Sequence, residues 1–339
     1  MMSEIKKAGV LIMCTSLTLT TDNHLNILAR TMDFAYILDP DLVFVPRKYP
    51  LASQVDEMKR PTKYAFMGMG RKTEPAILTD GLNEAGLACA TLYFPDYAQY
   101  SDEVDPSQTN LAPLEVVAWI LSNFATLDDV KAAIPQLNIV NRPTEIFEIV
   151  SPLHWIVTDK IGQTIVIEPM KDGIVIHDNP LGVMSNSPDF NWHLTNIRNY
   201  IGVNPNKLGP IKLNGVTFSP LGNGARTFGL PGDYTPPSRF LRALFGKEAI
   251  NNLETEDEGV KAAFHILSSV EIPKGSVITD DGVDFTQYTA CMVCNTGSYY
   301  FKTYDNNQLI RASIFDEDLN ASEPKGWTIP QNQQYGKLN

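Results

Sequence analysis

The chain has 339 residues, of which 43% are hydrophobic and 19% are charged. This composition is typical of a globular protein and excludes a disordered chain, a collagen and a coiled coil. The 27 basic and 39 acidic residues give a formal net charge of −12, and this surplus of negative charge disfavours nucleic-acid binding. No apolar run approaches the roughly 20 residues that cross a bilayer. Four cysteines are too few for a disulfide framework, so we expect a reduced, cytoplasmic protein.

The first part of the chain combines strand and helix patterns. Alternation of apolar and polar residues predicts strands over residues 17–20 and 25–30. Further strands are predicted over residues 42–46 and 64–68. The polar stretch 51–63 is typical of a loop. Apolar residues at helical spacing predict a helix over 111–124, and Thr126 is a suitable N-cap for a second helix over 127–133.

The second part begins with three apolar runs separated by turn-forming residues. They predict an antiparallel meander over 154–158, 164–168 and 173–177. Helices are predicted over 190–201, 237–250 and 260–270, and further strands over 288–294, 298–304 and 308–313. The tail after Pro324 is predicted to be irregular. Because regular βαβ alternation is absent, the pattern favours an α+β layered fold in a single domain.

One cysteine has a context that suggests catalysis. Cys14 follows Met13, and a methionine before a small residue is the usual context for methionine removal. If Met13 is the initiator, or if residues 1–13 are removed as a leader, Cys14 becomes the amino terminus. Its α-amine, with a pKa of about 7.7–8.0, would then suit a base at neutral pH. Such a base would activate the thiol, because the thiolate is the reactive nucleophile.

Arg30 and Asp33 lie on the second predicted strand, which would pair with the strand that carries Cys14 across a tight turn. On its own, an arginine and an aspartate three positions apart form an ordinary structural ion pair. Beside a nucleophile, the same pair could orient the amine and lower the pKa of the thiol.

Other motifs give weaker signals. The Gly68-x-Gly70 pair lacks the remaining glycines of a dinucleotide fingerprint. Cys291-x-x-Cys294 lies inside a predicted strand, without the helix N-terminus of a redox motif or the second ligand pair of a zinc site. We therefore predict buried structural thiols, with a thiol oxidoreductase as an alternative. No Gly-x-Ser-x-Gly elbow indicates a serine hydrolase, and no metal or cofactor is predicted.

Six segments, taken in order and spacing, resemble the choloylglycine hydrolase and penicillin V acylase family of N-terminal nucleophile amidohydrolases. They are residues 13–17 (MCTSL), 29–34 (ARTMDF), 80–87 (DGLNEAGL), 186–188 (NSP), 229–240 (GLPGDYTPPSRF) and 304–306 (YDN). Together they span nearly the whole chain. The resemblance implies a four-layer αββα fold, in which two stacked antiparallel sheets lie between layers of helices.

The resemblance also implies a catalytic set, which consists of Cys14, Arg30, Asp33, Asn186 and Arg239. Cys14 matches the nucleophile with its own α-amine as base, and Arg30 and Asp33 match the pair that positions it. Asn186 matches an oxyanion-hole side chain, with the main-chain N–H of Tyr93 as second donor. An amide and a backbone N–H are suitable donors for the charge that develops on a carbonyl oxygen during amide cleavage.

The substrate prediction depends on Tyr93. Bile salt hydrolases of the family tend to carry asparagine at this position, whereas penicillin V acylases tend to carry tyrosine. An aromatic wall suits a phenoxyacetyl group, so we predict a penicillin V acylase that releases 6-aminopenicillanic acid. The alternatives are hydrolysis of conjugated bile salts, hydrolysis of other N-acyl amides such as acyl homoserine lactones, and a non-catalytic binding protein for amphipathic acyl ligands. Candidate pocket residues are Met32, Phe34, Met67, Met69 and Tyr97.

The thirteen residues before Cys14 would block its amine. A translation start at Met13 is favoured over a removed leader, because Glu4, Lys6 and Lys7 do not resemble a secretion signal. Residues 14–339 would then form one hydrolase domain. The resemblance suggests a homotetramer that acts on a small-molecule acyl amide. It implies no cofactor, since nucleophile and base are both protein groups.

Overall fold

The computed structural model describes residues 12–56, 58–73, 76–143, 150–280 and 282–338. Most of the predicted leader, residues 1–11, lies outside the described residues. Residues 12 and 13 continue the strand that carries Cys14, where Met13 pairs with Asp33.

Strands make up most of the regular structure. In chain order they are β1 (Ile12–Thr20), β2 (Asn26–Phe34), β3 (Asp41–Val45), β4 (Pro50–Leu51), β5 (Arg60–Pro61), β6 (Phe66–Arg71), β7 (Ile77–Leu78), β8 (Asp80–Asn83), β9 (Leu87–Tyr93), β10 (Thr109–Leu111), β11 (Leu137–Ile139), β12 (Leu153–Asp159), β13 (Thr164–Met170), β14 (Gly173–Asp178), β15 (Val183–Met184), β16 (Ile211–Leu213), β17 (Val216–Phe218), β18 (Val277–Thr279), β19 (Gly282–Val293), β20 (Ser298–Thr303), β21 (Ile310–Ser313) and β22 (Lys325–Thr328).

Five α-helices lie within the described residues. They are α1 (Val116–Asn123), α2 (Leu127–Ala133), α3 (Phe190–Asn196), α4 (Pro236–Ala249) and α5 (Glu256–Ser268). Short 3-10 turns extend α1 at its start and α2 and α3 at their ends.

Two large antiparallel sheets form the centre of the molecule. Within the described residues, the first sheet has the order β15-β1-β2-β19-β20-β21, with β18 beside β19. The second has the order β14-β13-β12-β9-β8-β6-β3-β22, with β7 beside β6. The sheets contact each other face to face through β1, β2 and β9. The innermost strands of both sheets therefore bury both faces.

Helices cover the outer faces of both sheets. α4 packs on β1 and α5 packs on β2 and β19, whereas α1 packs on β8 and β9 and α2 packs on β12. The layers are therefore helix, sheet, sheet, helix, which confirms the predicted α+β class and the four-layer αββα arrangement.

Local signals placed several elements correctly. Helix α2 has the predicted bounds, and the Thr126 hydroxyl accepts a hydrogen bond from the Asp129 N–H as its N-cap. The predicted meander is the antiparallel run β12-β13-β14. Helix α5 begins earlier than predicted, because Thr255 and Glu258 form a capping box.

One expectation was wrong, and two central strands were not predicted. The tail after Pro324 is not irregular, since Lys325–Thr328 forms the edge strand β22 beside β3. Its mostly exposed residues carry no apolar alternation, so the pairing comes from its partner strand. Strands β8 and β9 were also missed, because all of their residues are buried and a strand buried on both faces does not alternate.

Candidate active site

A hairpin of β1 and β2 carries the predicted nucleophile and its two neighbours. Cys14 pairs with Met32, and Ser16 pairs with Arg30. Because β9 of the second sheet packs on one face of β2 and α5 packs on the other, every residue of β2 is buried. The exposed fraction is 1% for Cys14 and 0% for Arg30 and Asp33. The predicted pairing thus places all three in the interior.

Arg30 connects the thiol to the second sheet. Its Nη2 donates a hydrogen bond to Cys14 Sγ at 2.9 Å and another to the carbonyl of Thr91 at 3.2 Å. Its Nη1 donates to Asp80 Oδ2 at 3.0 Å, and its Nε donates to the carbonyl of Thr31 at 2.9 Å. These partners use all three guanidinium nitrogens, so the group is held in one orientation with a donor directed at sulfur.

Asp80 supplies the negative charge that balances Arg30. The hydroxyl of Tyr288 donates to Asp80 Oδ2 at 2.6 Å, and the hydroxyl of Tyr299 donates to Asp80 Oδ1. Burial alone would lower the pKa of Arg30, but the neighbouring Cys14, Tyr288 and Asp80 raise it above its ordinary value. Arg30 therefore remains a cation although its side chain is inaccessible to water.

Asp33 lies on the other face of β2, beneath α4. The hydroxyl of Thr286 donates to its Oδ1 at 2.5 Å, and the hydroxyl of Thr31 donates to its Oδ2 at 3.1 Å. Arg239 Nη1 lies 3.8 Å from Asp33 Oδ2. Burial raises the pKa of Asp33 to about 6, against the opposing effect of Arg239 and the two hydroxyls. This carboxylate is therefore ionised at neutral pH but gains a proton under mild acid.

Asn186 and Arg239 approach Cys14 from the remaining side. Asn186 Oδ1 accepts hydrogen bonds from the Cys14 nitrogen at 2.8 Å and from Arg239 Nη2 at 2.7 Å. Asn186 Nδ2 donates to the carbonyl of Tyr93 at 2.7 Å. Arg239 Nη1 also donates to the carbonyl of Cys14 at 2.6 Å. The structure therefore brings all five members of the predicted catalytic set, and the backbone of Tyr93, into one cluster.

The thiol itself lies between opposing charges. Burial raises the pKa of Cys14 above its ordinary value and Asp33 adds to this effect, whereas Arg30 and Arg239 lower it. The Cys14 nitrogen is here a peptide nitrogen bonded to Met13. Arg30 is thus the main group that favours the thiolate, and a base must still remove the proton.

The arrangement of these residues agrees with comparisons to known proteins. A family model described as linear amide C–N hydrolases, choloylglycine hydrolase family, matches residues 14–327. The chain belongs to this family. It is accordingly an enzyme that hydrolyses linear amide C–N bonds, with the fold of N-terminal nucleophile hydrolases.

Two curated relatives represent the two activities considered above. The bile salt hydrolase/transferase of Clostridium perfringens is 37% identical over 329 residues, covering 96% of this chain and 100% of that protein. The penicillin V acylase of Pectobacterium atrosepticum is 26% identical and covers 86% of this chain and 77% of that protein. The choloylglycine hydrolase family thus includes both activities, and the bile salt enzyme is the nearer of these two relatives.

Two solved structures are variants of the conjugated bile acid hydrolase from Clostridium perfringens. Each is 36% identical and covers 96% of this chain and 100% of that chain, with TM-scores of 0.90 and 0.91. One variant replaces a cysteine near the amino terminus, and the other replaces an arginine sixteen positions further along. Cys14 and Arg30 are also sixteen positions apart.

A small cavity lies beside the Cys14 thiol. Met32, Phe34 and Tyr93 contribute to its lining, so two of the candidate pocket residues and the predicted substrate residue reach it. Met67 and Met69 are buried in the apolar core instead. Tyr97 stacks on Phe94 with ring centroids 5.2 Å apart. Met67, Met69 and Tyr97 are therefore not among the described residues that line this cavity.

Cys291 lies in β19 and Cys294 directly follows that strand, so neither residue stands at the N-terminus of a helix. Both thiols are buried, and burial raises the pKa of Cys294 to about 12. A protonated, inaccessible thiol is a poor redox nucleophile, in agreement with the predicted structural role. The described part of the chain also contains no group of three or more His, Cys, Asp or Glu residues that could hold a metal ion. Nor does any helix described here have the length and apolar character needed to cross a membrane.

Asp284 is a second buried carboxylate near Asp33. Its exposed fraction is 0%, and neither of its oxygens has a hydrogen-bond partner of normal geometry among the described residues. It lies two positions before Thr286 on β19, on the same face of the strand. Burial and the charge of Asp33 raise its pKa to about 8, against weaker opposing effects of Arg239 and the Phe285 N–H. At neutral pH the side chain is therefore mostly protonated.

We expect Asp284→Asn to change how stability depends on pH. A carboxyl whose pKa is raised on folding holds a proton in the folded state that the unfolded state loses, so stability falls as pH rises from about 4 to 8. The asparagine variant has no carboxyl at this position, so its stability lacks this decrease with rising pH. The free energy of unfolding of the variant relative to the parent should therefore increase by at least about 1 kcal/mol between pH 5 and pH 8 and level off above pH 8. Urea unfolding at four pH values measures this, and a constant difference would contradict the assignment.

Several residues of the site had no assigned role in the sequence. Asp80 lies in the segment 80–87 that carries the resemblance, so a signal existed for it. No such signal existed for Thr286, Tyr288 and Tyr299. They reach the site from β19 and β20 and lie more than two hundred positions from their partners in the sequence.

Proposed function

We propose that this enzyme hydrolyses the amide bond of conjugated bile salts through a thioester on Cys14. The observation that carries this proposal is the 37% identity to a bile salt hydrolase over the full length of that protein, against 26% for the penicillin V acylase. This favours the alternative over the predicted preference for penicillin V.

We further propose that Cys14 is the first residue of the active enzyme. The family match begins at Cys14, which supports removal of everything before it. Loss of Met13 converts the Cys14 nitrogen from a peptide nitrogen into an α-amine with a pKa near neutrality. The amine then accepts the thiol proton, and the Arg30 guanidinium stabilises the thiolate that forms.

The proposed reaction has two steps. The Cys14 thiolate attacks the substrate carbonyl, and the α-ammonium group gives its proton to the departing amine. Water then attacks the thioester, with the amine as base, and releases the bile acid. In each step the carbonyl oxygen gains negative charge. The amide of Asn186 carries two N–H bonds; Tyr93 accepts one of them, and the second, with the Tyr93 N–H, is assigned to this oxyanion.

The lining of the cavity supports an apolar acyl group. Leu38, Thr79 and Leu114 line both the cavity at Cys14 and a second, more open cavity. Tyr36 and Ile37 line the second cavity and are 37% and 67% exposed. A path lined mainly by apolar side chains suits a steroid, which binds through its large apolar faces.

A competition between two substrates tests the proposal. With protein whose first residue is verified as Cys14, we expect kcat/KM for glycocholate to exceed that for penicillin V by at least about tenfold, which corresponds to about 1.4 kcal/mol of transition-state binding. Release of primary amine measures both reactions in one assay. Tyr93→Asn is the matched variant, and it should alter this ratio less than threefold if the main chain of Tyr93, rather than its ring, serves the reaction.

The opposite result has a clear meaning. If penicillin V is preferred and Tyr93→Asn reverses that preference, the aromatic ring decides the substrate and the bile salt proposal fails. Absence of turnover with both substrates would also reject it and direct attention to other N-acyl amides.

The homotetramer stays a prediction. One feature that supports self-association is the hairpin β16-β17, whose residues are all exposed. Its exposed apolar side chains are Ile211, Leu213, Val216 and Phe218. A cluster of this kind on a surface is typical of a contact with another protein chain.

A further inference from the structure

The segment that carries Asn186 is held by a group of buried residues from outside the catalytic set. Asn186 lies between β15 and α3, and its side chain must keep one orientation to contact both Cys14 and Arg239. A loop residue with that task needs support from its surroundings, since an oxyanion donor displaced by a fraction of an ångström loses much of its effect.

Glu168 fixes the start of α3. Its Oε1 accepts a hydrogen bond from the Phe190 N–H at 3.0 Å, and its Oε2 lies 3.1 Å from His177 Nε2. His154 Nδ1 lies 3.4 Å from Oε1. Although burial opposes it, these histidine hydrogen bonds lower the pKa of Glu168 to about 2. The carboxylate is therefore charged and anchors the helix four residues after Asn186.

His193 connects the first turn of α3 back to Asn186. Its Nε2 lies 2.9 Å from the main-chain carbonyl oxygen of Asn186, and because a carbonyl can only accept, Nε2 must carry the proton. The ring is 2% exposed and stacks on Phe240 with centroids 4.7 Å apart. Phe240 follows Arg239 on α4, so the same imidazole contacts both segments that converge on Asn186.

The charge state of His193 fits a fixed donor. Burial lowers its pKa to about 4, and the nearby His154 and Arg239 act in the same direction, whereas Glu168 and the bond to Asn186 oppose them. The ring is neutral at the working pH, with a single N–H that the Asn186 carbonyl accepts.

We propose that His193 is a positioning residue. By fixing the main-chain carbonyl of Asn186, it holds the side-chain amide of that residue in the orientation that the oxyanion requires. This inference rests on the proposed function, because it assumes that Asn186 donates to the oxyanion. It assigns a role in turnover to a side chain that does not contact the nucleophile.

Two substitutions separate the hydrogen bond from the packing. His193→Phe keeps an aromatic ring against Phe240 but removes the donor. His193→Gln keeps an N–H donor of similar reach but removes the ring. Trp192→Phe is the matched control, since Trp192 is the preceding residue on α3 and contacts His193 edge-on at 5.6 Å without a bond to Asn186.

Steady-state kinetics and the rate of Cys14 alkylation by iodoacetamide provide the readouts. Alkylation uses the thiolate but forms no oxyanion, so it reports the nucleophile alone. We expect His193→Phe to lower kcat about tenfold, less than the ~10²–10³ of a lost donor, with KM and the alkylation rate changed less than threefold. His193→Gln should recover most of kcat, and Trp192→Phe should match the parent.

Three results would overturn the inference: an unchanged kcat in His193→Phe, an equal loss in His193→Gln, or a parallel loss of alkylation. Asn186→Ala distinguishes this failure from failure of the proposed function. If Asn186→Ala loses turnover while His193→Phe does not, the oxyanion assignment stands and the role of His193 falls. If Asn186→Ala retains full turnover, the oxyanion assignment itself is wrong.

Discussion

Replacement of Cys14 by alanine is expected to lower kcat for glycocholate by at least about 10⁴-fold, since loss of a nucleophile removes the covalent route entirely. Substrate binding should survive, because the alanine side chain leaves the apolar lining of the cavity in place. Turnover by amine release and binding by calorimetry measure the two effects separately. Binding without turnover would identify Cys14 as the reacting group, whereas more than a tenth of the parent activity would contradict it.

Cys291→Ala is the matched control for this experiment. Cys291 is as buried as Cys14 and lies in the same sheet, but it contacts none of the catalytic set described above. Its variant should keep the parent kcat. Amino-terminal sequencing of the parent adds a second check, since the fraction of molecules that begin at Cys14 should equal the fraction titrated by iodoacetamide. Full activity in molecules that retain Met13 would exclude the α-amine as base.

The local part of the site could be predicted because the chain builds it from a hairpin. Alternation in the first two strands and a turn between them bring Cys14, Arg30 and Asp33 together within about twenty residues. Asn186 and Arg239 required the family resemblance, since nothing in their own neighbourhoods predicts a contact with Cys14. Their convergence is a property of the stacked layers and is not encoded within either segment.

The supporting residues could not be predicted for a physical reason. Asp80, Tyr288 and Asp284 lie on strands that are buried on both faces, where periodicity does not reveal which side a residue occupies. The role of each aspartate depends on a charged residue that is distant in the sequence. Asp80 pairs with Arg30, and Asp284 lies near the charge of Asp33. A sequence pattern shows which residue type stands at a position, but it does not show which distant residue that side chain contacts.

The site combines charge with exclusion of water, and this combination is costly for stability. The side chains of Arg30, Asp80, Asp33 and Arg239 are all 0% exposed. Taking ions from water into a protein interior is unfavourable unless they are paired, and a buried pair often stabilises a protein less than apolar residues of similar volume would. The retention of two such pairs around one thiol is therefore better explained by reactivity than by stability. Removal of one member of an ion pair should therefore change both the reactivity of the thiol and the stability of the fold.

Arg30→Met is expected to affect activity and stability together. The thiol loses its donor at 2.9 Å and the positive charge that lowers its pKa, so kcat should fall by about 10²-fold or more, comparable to loss of a strong charge-stabilising donor. The same change leaves Asp80 as a buried carboxylate without a cation, which should cost about 3–5 kcal/mol of unfolding free energy. The pH of half-maximal alkylation of Cys14 should move upward, since the thiolate is no longer favoured.

The double variant Arg30→Met, Asp80→Asn separates the two contributions. Without the carboxylate, no uncompensated charge remains next to Tyr288 and Tyr299, so most of the lost stability should return, as judged by urea unfolding. Activity should stay low and the alkylation midpoint should stay high, because the cation beside sulfur is still missing. Recovery of turnover along with stability would mean that Arg30 serves the fold alone. Recovery of neither would mean that the ion pair does not account for the stability loss, and that the arginine stem packs against the core in a way that methionine cannot replace.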